Sequence, residues 1–212
     1  MRLREDIKEF VNTIPRDICI VSATKYVGFE EMMDLLDNGI NNFGENRVDS
    51  FLTKYEALKD KDIKWHFIGH LQRNKAKKII NKIDYLHSLD SLELAKIIDN
   101  LREKPLDCFI EVSINLEENK DGVSYLEIDE FIENVLKYKN INVIGLMMMA
   151  IKNSFDDDLK IQFRKLRLLK LRLEEKYNIS LPYLSMGMSD DYEEAIQEGA
   201  THIRLGRILW KN

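Results

Sequence analysis

Short apolar runs and longer segments of helical periodicity alternate along the whole chain. The runs are rich in Ile, Val, Phe and Leu, and the segments between them repeat apolar residues every three or four positions. This pattern predicts strands at 18–23, 40–43, 65–69, 84–88, 107–113, 142–147, 182–186 and 202–206, and helices at 29–38, 46–59, 74–82, 91–102, 126–138, 156–177 and 191–198. Strands that alternate with helices form a parallel sheet through right-handed crossovers, so the chain is constrained to an α/β architecture.

The number of strand–helix units indicates which α/β architecture to expect. Seven or eight units without an interruption predict one domain, a (β/α)8 barrel of the TIM type over residues 1–212, with an extra helix at 2–13 that plugs or flanks the barrel bottom. A doubly wound open sheet is the alternative, but no GxGxxG motif follows the first strand. In a barrel, the functional groups are expected on the loops that follow the strands.

Composition and charge exclude several other classes of protein. The net charge of -5 argues against a protein built mainly to bind nucleic acid or anionic lipid. No apolar run approaches the roughly 20 residues that a membrane span needs. Cys19 and Cys108 lie in apolar runs, which indicates core residues and neither a disulfide framework nor a metal site. A cytoplasmic protein without membrane contact is therefore expected.

Polar residues and glycines follow nearly every predicted strand. Lys25 follows the first strand, and an amine is unusual at the mouth of a buried strand. Ser185 and Ser189 flank Gly187 after the seventh strand, and Arg204 and Gly206 end the eighth. A phosphate site after strands seven and eight is a recurring feature of such barrels. The alternative is that Ser189 and Asp190 are helix caps and Arg204 forms an outer ion pair.

The helix predicted at 191–198 is expected to support this anion site. Asp190 is predicted to cap it, with Glu193 three residues later completing a capping box. A lysine across from a phosphate site is the arrangement needed to hold a phosphorylated aldehyde as a Schiff base. A sugar phosphate, as in an aldolase, and pyridoxal phosphate both fit, and the spacing does not choose between them.

Seven segments together resemble a known family. They are SATK at 22–25, FGENRV at 43–48, WHFIGHLQRNK at 65–75, NKDG at 119–122, GLMMMA at 145–150, LSMGMSDD at 184–191 and IRLG at 203–206. In order and spacing they are similar to the YggS/PROSC family of pyridoxal phosphate-binding, or homeostasis, proteins. The resemblance runs from about residue 18 to 207, and WHFIGHLQRNK and LSMGMSDD are its most specific parts.

The resemblance implies a barrel of the alanine racemase N-terminal type, with pyridoxal 5'-phosphate as the cofactor and no metal. It implies Lys25 as the aldimine lysine, Arg204 near the pyridine nitrogen, Ser185, Ser189 and Gly206 on the phosphate side, and Asn46 and Met147 beside the ring. Three departures from the family pattern bear on the phosphate side: Arg207 where Thr or Ser is usual, Ile151 where Pro is usual, and an early end after RILWKN. Arg207 either replaces a phosphate contact or points outward.

The family resemblance favours binding, storage and delivery of the cofactor over catalysis. Arg204 at the pyridine nitrogen would weaken the ring as an electron sink, and the all-β domain that completes a racemase is not expected after Gly206. A racemase or related fold-type III enzyme is the alternative. The implied partners are apoenzymes that use pyridoxal phosphate, the implied state is a monomer or weak dimer, and Lys120 is a candidate for a transient second cofactor contact.

Overall fold

Eight helices and nine strands make up the described part of the computed structural model, which comprises residues 1–114 and 122–211. The helices are α1 Ile7–Thr13, α2 Phe29–Asp37, α3 Val48–Leu58, α4 Arg73–Ile79, α5 Leu92–Leu101, α6 Ile128–Val135, α7 Asp156–Tyr177 and α8 Tyr192–Gln197. The strands are β1 Cys19–Ala23, β2 Asn42–Glu45, β3 Lys64–Phe67, β4 Tyr85–Leu89, β5 Leu106–Ser113, β6 Val123–Ser124, β7 Ile141–Met147, β8 Tyr183–Met188 and β9 His202–Leu205. A short 3-10 turn, Arg207–Leu209, follows β9.

The strands close into a parallel barrel. Their order is β4-β3-β2-β1-β9-β8-β7-β5, and pairing between β4 and β5 joins the two ends. The two-residue β6 pairs with the last residues of β5, outside this ring of eight. The predicted (β/α)8 barrel is therefore confirmed, and the open-sheet alternative is wrong because a doubly wound sheet has no such closing pair.

The core lies where the apolar pattern predicted it. In α7 the residues Leu159, Phe163, Leu166, Leu169 and Leu173 are all buried against the barrel, as their helical spacing indicated. The strands are buried on both faces, which explains why they read as nearly continuous apolar runs. The central parts of the elements were predicted closely, while β2 begins at Asn42, two residues later than expected.

The start of α8 differs from the prediction. The helix begins at Tyr192 and its N-cap is Asp191, so the expected capping box of Asp190 and Glu193 is wrong. The Asp191 carboxylate instead accepts a hydrogen bond from the main-chain N–H of Met188, at the end of β8. Asp190 is left exposed on the loop, where it forms an ion pair with Arg207.

The N-terminal helix flanks the barrel. It spans seven residues, which is shorter than the predicted 2–13 because the first residues are extended and bond to the chain after β9. The Phe10 ring meets the Tyr192 ring of α8 edge-on, with centroids 6.1 Å apart. Across the described residues, no helix combines the length and the apolar character that a membrane span requires.

Candidate functional site

Lys25 lies on the loop at the carboxyl end of β1, two residues after the strand ends. Its side chain is exposed, and its Nζ sits 4.7 Å from the centroid of the Tyr26 ring. The preceding residue, Thr24, is fully buried and donates its N–H to the Gly44 carbonyl of the neighbouring β2. The lysine is therefore an accessible amine on a firmly held strand end.

Asn46 lies at the adjacent strand end. The pairing of Ala23 with Gly44 brings the chain after β1 beside the chain after β2. A Cβ on Gly69, which follows β3, would come within 2.5 Å of the Asn46 carbonyl oxygen, so only glycine allows this approach. The side-chain Oδ1 of Asn46 is buried and has no hydrogen-bond partner among the described residues. Such an orphaned acceptor is costly unless a ligand or water satisfies it.

Ser189 and Gly206 meet on the other side of Lys25. The Ser189 hydroxyl oxygen accepts the N–H of Gly206 at 3.1 Å and that of Ile208 at 3.4 Å. A Cβ on Gly206 would lie 3.7 Å from Ala23 Cβ, which places this glycine against the end of β1. Main-chain N–H groups and a hydroxyl at the start of a helical turn form a suitable environment for an anion.

Arg207 points away from the barrel axis. Its guanidinium pairs with the Asp190 carboxylate, and both side chains are about three-quarters exposed. The pair lies on a cleft of about 660 Å³ that Ser189 and Ile208 also line. The cleft contains two further ion pairs, Arg4 with Asp6 and Lys211 with Glu5. Of the two orientations expected for Arg207, the structure shows the outward one.

Arg204 lies inside the barrel, below this rim. It is 5% exposed and donates from Nη1 to the Ser185 hydroxyl at 2.7 Å and from Nη2 to the Met148 carbonyl at 2.9 Å. Burial lowers the pKa of Arg204 to about 10, and the nearby carboxylates of Glu111 and Asp191 oppose this change. The guanidinium therefore remains charged at neutral pH. Because Arg204 is buried inside the barrel, the alternative of an outer ion pair is wrong.

Ser185 and Met147 accompany Arg204 in the interior. They are register partners on β8 and β7, and each is at most 1% exposed. The Ser185 hydroxyl is engaged with Arg204 and with the ring of His87, whose Nδ1 lies 2.8 Å away. The structure thus brings Lys25, Asn46, Ser189 and Gly206 to four neighbouring strand ends, and places Arg204, Ser185 and Met147 beneath them.

A chain of hydrogen bonds continues from Ser185 through the barrel. His87 Nε2 lies 2.9 Å from His66 Nδ1, and His66 Nε2 lies 3.0 Å from Asn42 Oδ1. Because the amide oxygen of Asn42 can only accept, His66 donates to it from Nε2. With both rings neutral, His66 Nδ1 then accepts from His87 Nε2, and His87 Nδ1 accepts from the Ser185 hydroxyl.

Burial favours the same protonation state. It places the pKa of His66 and of His87 well below the ordinary value, and neighbouring histidines reinforce this effect. Sequence reasoning did not connect His66 with His87 and missed the chain. The one feature that these residues share in the sequence is that His66, His87 and Ser185 each lie within a predicted strand. Lys120, the candidate for a second contact, lies outside the described residues.

An eight-stranded parallel barrel with a lysine, an asparagine and an anion-binding loop at one rim defines a cofactor-binding barrel of the alanine racemase type. The family model described as "Alanine racemase, N-terminal domain" matches residues 2–212. The fold, the site and the family model therefore agree on the alanine racemase N-terminal class.

The similar proteins narrow this class. The pyridoxal phosphate homeostasis protein of Aquifex aeolicus is 44% identical over 194 residues, which cover 90% of this chain and 85% of that protein. The pyridoxal phosphate homeostasis protein of Synechocystis is 36% identical over 207 residues, or 95% of this chain and 94% of that protein. The structure of PipY from Synechococcus elongatus with PLP bound superposes with a TM-score of 0.89 at 27% identity, covering 97% of this chain and all of that one. The chain belongs to the pyridoxal phosphate homeostasis family, the YggS/PROSC family that its motifs indicated.

Proposed function

We propose that this protein binds pyridoxal 5'-phosphate, holds it through a Schiff base to Lys25, and keeps it available to other proteins without turning over a substrate. The observation that carries the proposal is the convergence of Lys25, Asn46, Ser189 and Gly206 on four neighbouring strand ends, with the Arg204 cation below. The similar protein PipY has been solved with PLP bound in the same fold.

The residues present fit this cofactor. The Ser189 hydroxyl oxygen accepts the N–H groups of Gly206 and Ile208, which leaves the hydroxyl proton to donate to a phosphate group at the start of the 3-10 turn. The buried Oδ1 of Asn46 supplies an acceptor that lacks a partner among the described residues. Ser185 is engaged by Arg204 and His87, so its proposed role is to hold the guanidinium, and its contact with the phosphate stays a prediction.

Pyridoxal phosphate supplies an aldehyde and an electron-withdrawing ring. Lys25 would hold the cofactor covalently at its aldehyde carbon, with the aldehyde oxygen lost as water. Arg204 stays cationic below the rim, since its pKa of about 10 lies above neutral pH. In the position beside the pyridine nitrogen that the family resemblance implies for it, Arg204 would disfavour protonation there and weaken the ring as an electron sink.

Titration with pyridoxal phosphate tests binding. The native protein should develop the absorption band of a Schiff base with one equivalent of cofactor, and Lys25→Ala should not. Lys139→Ala, which removes an exposed lysine from the loop between α6 and β7, is the matched control and should behave like the native protein. A native protein that develops no such band would overturn the proposal.

Exchange of the Cα proton tests the absence of turnover. The loaded protein is incubated with the common L-amino acids in D₂O, and deuterium at Cα is followed by NMR. No exchange above free pyridoxal phosphate is expected. Exchange that disappears in Lys25→Ala would instead support the racemase-like alternative.

Delivery to apoenzymes is the remaining part of the proposal. The loaded protein is mixed with an apoenzyme that needs pyridoxal phosphate, in the presence of an amine that scavenges the free cofactor. Reactivation is expected to exceed that from the same amount of free cofactor. If the scavenging amine reduces reactivation equally for the loaded protein and for the free cofactor, the protein's role is limited to storage.

A further inference from the structure

Two opposite charges are buried together beneath the residue that precedes Lys25. Lys54 on α3 is 8% exposed, and Glu45, the last residue of β2, is fully buried. The Lys54 Nζ lies 2.5 Å from Glu45 Oε1 and 2.5 Å from the main-chain oxygen of Thr24. One ammonium group therefore links the end of β2 to the loop that carries the lysine.

Thr24 is held through its side chain as well as its backbone. Its hydroxyl donates to Glu45 Oε1 at 2.5 Å, while Ser50 donates to the other carboxylate oxygen at 3.2 Å. The Thr24 carbonyl also accepts the N–H of Val27 at 3.1 Å. That carbonyl belongs to the peptide bond between Thr24 and Lys25, and because the peptide bond is planar, fixing it also fixes the nitrogen and Cα of Lys25.

Packing alone does not account for such a pair. Removing two charges from water carries a large cost, and apolar side chains of the same shape often stabilise a core equally well or better. The ion pair offers what apolar residues lack, a strong donor aimed at one particular carbonyl and an acceptor for the Thr24 hydroxyl. Both contacts converge on the residue next to Lys25.

We infer that Lys54 and Glu45 are positioning residues for Lys25, an inference that rests on the proposed function. The Lys25 side chain is long and exposed, so its reach toward an aldehyde depends on where its Cα is held. Reactions of this kind are sensitive to small displacements of the attacking atom. The pair acts through the backbone of Thr24 and does not itself contact the cofactor.

Two variants of the pair separate this role from a general contribution to folding. Lys54→Met with Glu45→Gln removes both charges together, which avoids leaving one buried charge unpaired. Lys54→Arg keeps a cation and its donors. The matched control is Arg164→Met, which breaks the Arg164–Glu198 pair between α7 and the end of α8, away from Lys25. Thermal unfolding of each unliganded variant shows that it is folded.

Two ligands then distinguish positioning from loss of the whole site. The rate of Schiff base formation with pyridoxal phosphate should fall about tenfold in the double variant, because the amine is no longer held at a fixed point. Binding of pyridoxine phosphate, which has an alcohol in place of the aldehyde, should stay within about twofold, since Lys25 forms no bond to it. Lys54→Arg should keep most of the native rate of Schiff base formation. Arg164→Met should change neither that rate nor the binding of pyridoxine phosphate.

Other results would overturn the inference. An unchanged rate in the double variant, or an equal loss of both ligands, would show that the pair does not act on Lys25. If the double variant does not fold, Thr24→Val removes only the hydroxyl contact to Glu45 and leaves the Lys54 contact to the main-chain oxygen, so a smaller fall in the rate is expected. An unchanged rate in that variant would reject the part of the inference that assigns a positioning role to Glu45. A native protein that forms no Schiff base at Lys25 would instead refute the proposed function, so the two failures are distinguishable.

Discussion

Single residues at the rim differ in how firmly the fold holds them. Arg204 is buried and bonded to Ser185 and Met148, whereas Arg207 is exposed and has only an exposed carboxylate as its ion-pair partner among the described residues. An exposed ion pair is worth about 1 kcal/mol or less, so a phosphate group can compete for Arg207. Arg207, which departs from the family pattern, is thus the more adjustable of the two cations.

Replacement of Asp190 by Asn tests whether Arg207 can serve the phosphate side. The change frees the guanidinium and removes a negative charge next to Ser189. We expect pyridoxal phosphate to bind about two- to fivefold more tightly, the range that a weak surface pair allows. Fluorescence titration measures the affinity, with Asp60→Asn in the loop between α3 and β3 as a control of equal charge. Weaker binding would show that Asp190 holds Arg207 where the site needs it.

The buried histidines predict a pH dependence of stability. Burial lowers the pKa of His202 to about 4, and places that of His66 and His87 well below 6.5. In the unfolded chain these rings take up protons below pH 6.5, while the native ones stay neutral. The unfolded state then binds more protons, so stability falls as the pH drops from 6.5 toward 4, by up to about 1.4 kcal/mol per pH unit for each histidine.

Urea unfolding at pH 7 and pH 5 checks this expectation. The native protein should lose stability between the two values, and His202→Gln should lose less because one of the three buried rings no longer titrates on unfolding. An identical loss in the variant and the native protein would show that His202 does not contribute.

At the scale of elements, the spacing of apolar residues in α7 identifies which face of the helix is buried. Its 22 residues carry apolar side chains on two sides, and the spacing of Leu159, Phe163, Leu166, Leu169 and Leu173 selects the side that packs on the barrel. Leu168 lies between two of these positions in sequence and is 54% exposed. Leu166 is therefore buried, whereas Leu168, two positions later, is exposed.

A pair of alanine substitutions measures that difference. Leu166→Ala should reduce the free energy of unfolding by about 2–5 kcal/mol, because it leaves a cavity between α7 and the strands. Leu168→Ala should change it by less than about 0.5 kcal/mol, as expected for an exposed side chain. Chemical denaturation compares the two variants. Equal losses would mean that α7 does not present the face that its periodicity selects.

At the scale of the whole molecule, local pattern was sufficient to predict the barrel. The eight barrel strands and their helices could be found because short apolar runs and the 3.6-residue period differ clearly, and alternating elements leave few topologies. The two-residue strand β6 was not predicted. The rim residues followed from the fold, since functional groups lie after the strands. The start of α8 was predicted wrongly because Asp190 and Asp191 are both suitable N-caps, and in the structure it is the Asp191 carboxylate that accepts the N–H of Met188, three residues earlier.

Contacts between distant segments could not be predicted in this way. The Lys54–Glu45–Thr24 contacts join α3, β2 and the loop after β1, and the chain from Arg204 to Asn42 has members on five strands. Neither has a local sequence signal, because the partners meet only when the barrel closes. The first of these sets is the one that we infer positions Lys25.

Covalent labelling of the cofactor lysine tests the central claim most directly. The protein is loaded with pyridoxal phosphate and reduced with borohydride, and the modified peptide is mapped by mass spectrometry. The proposed function predicts a pyridoxyl phosphate group on Lys25, at the end of β1. A label on another lysine, or no label on a protein that remains folded, would contradict it.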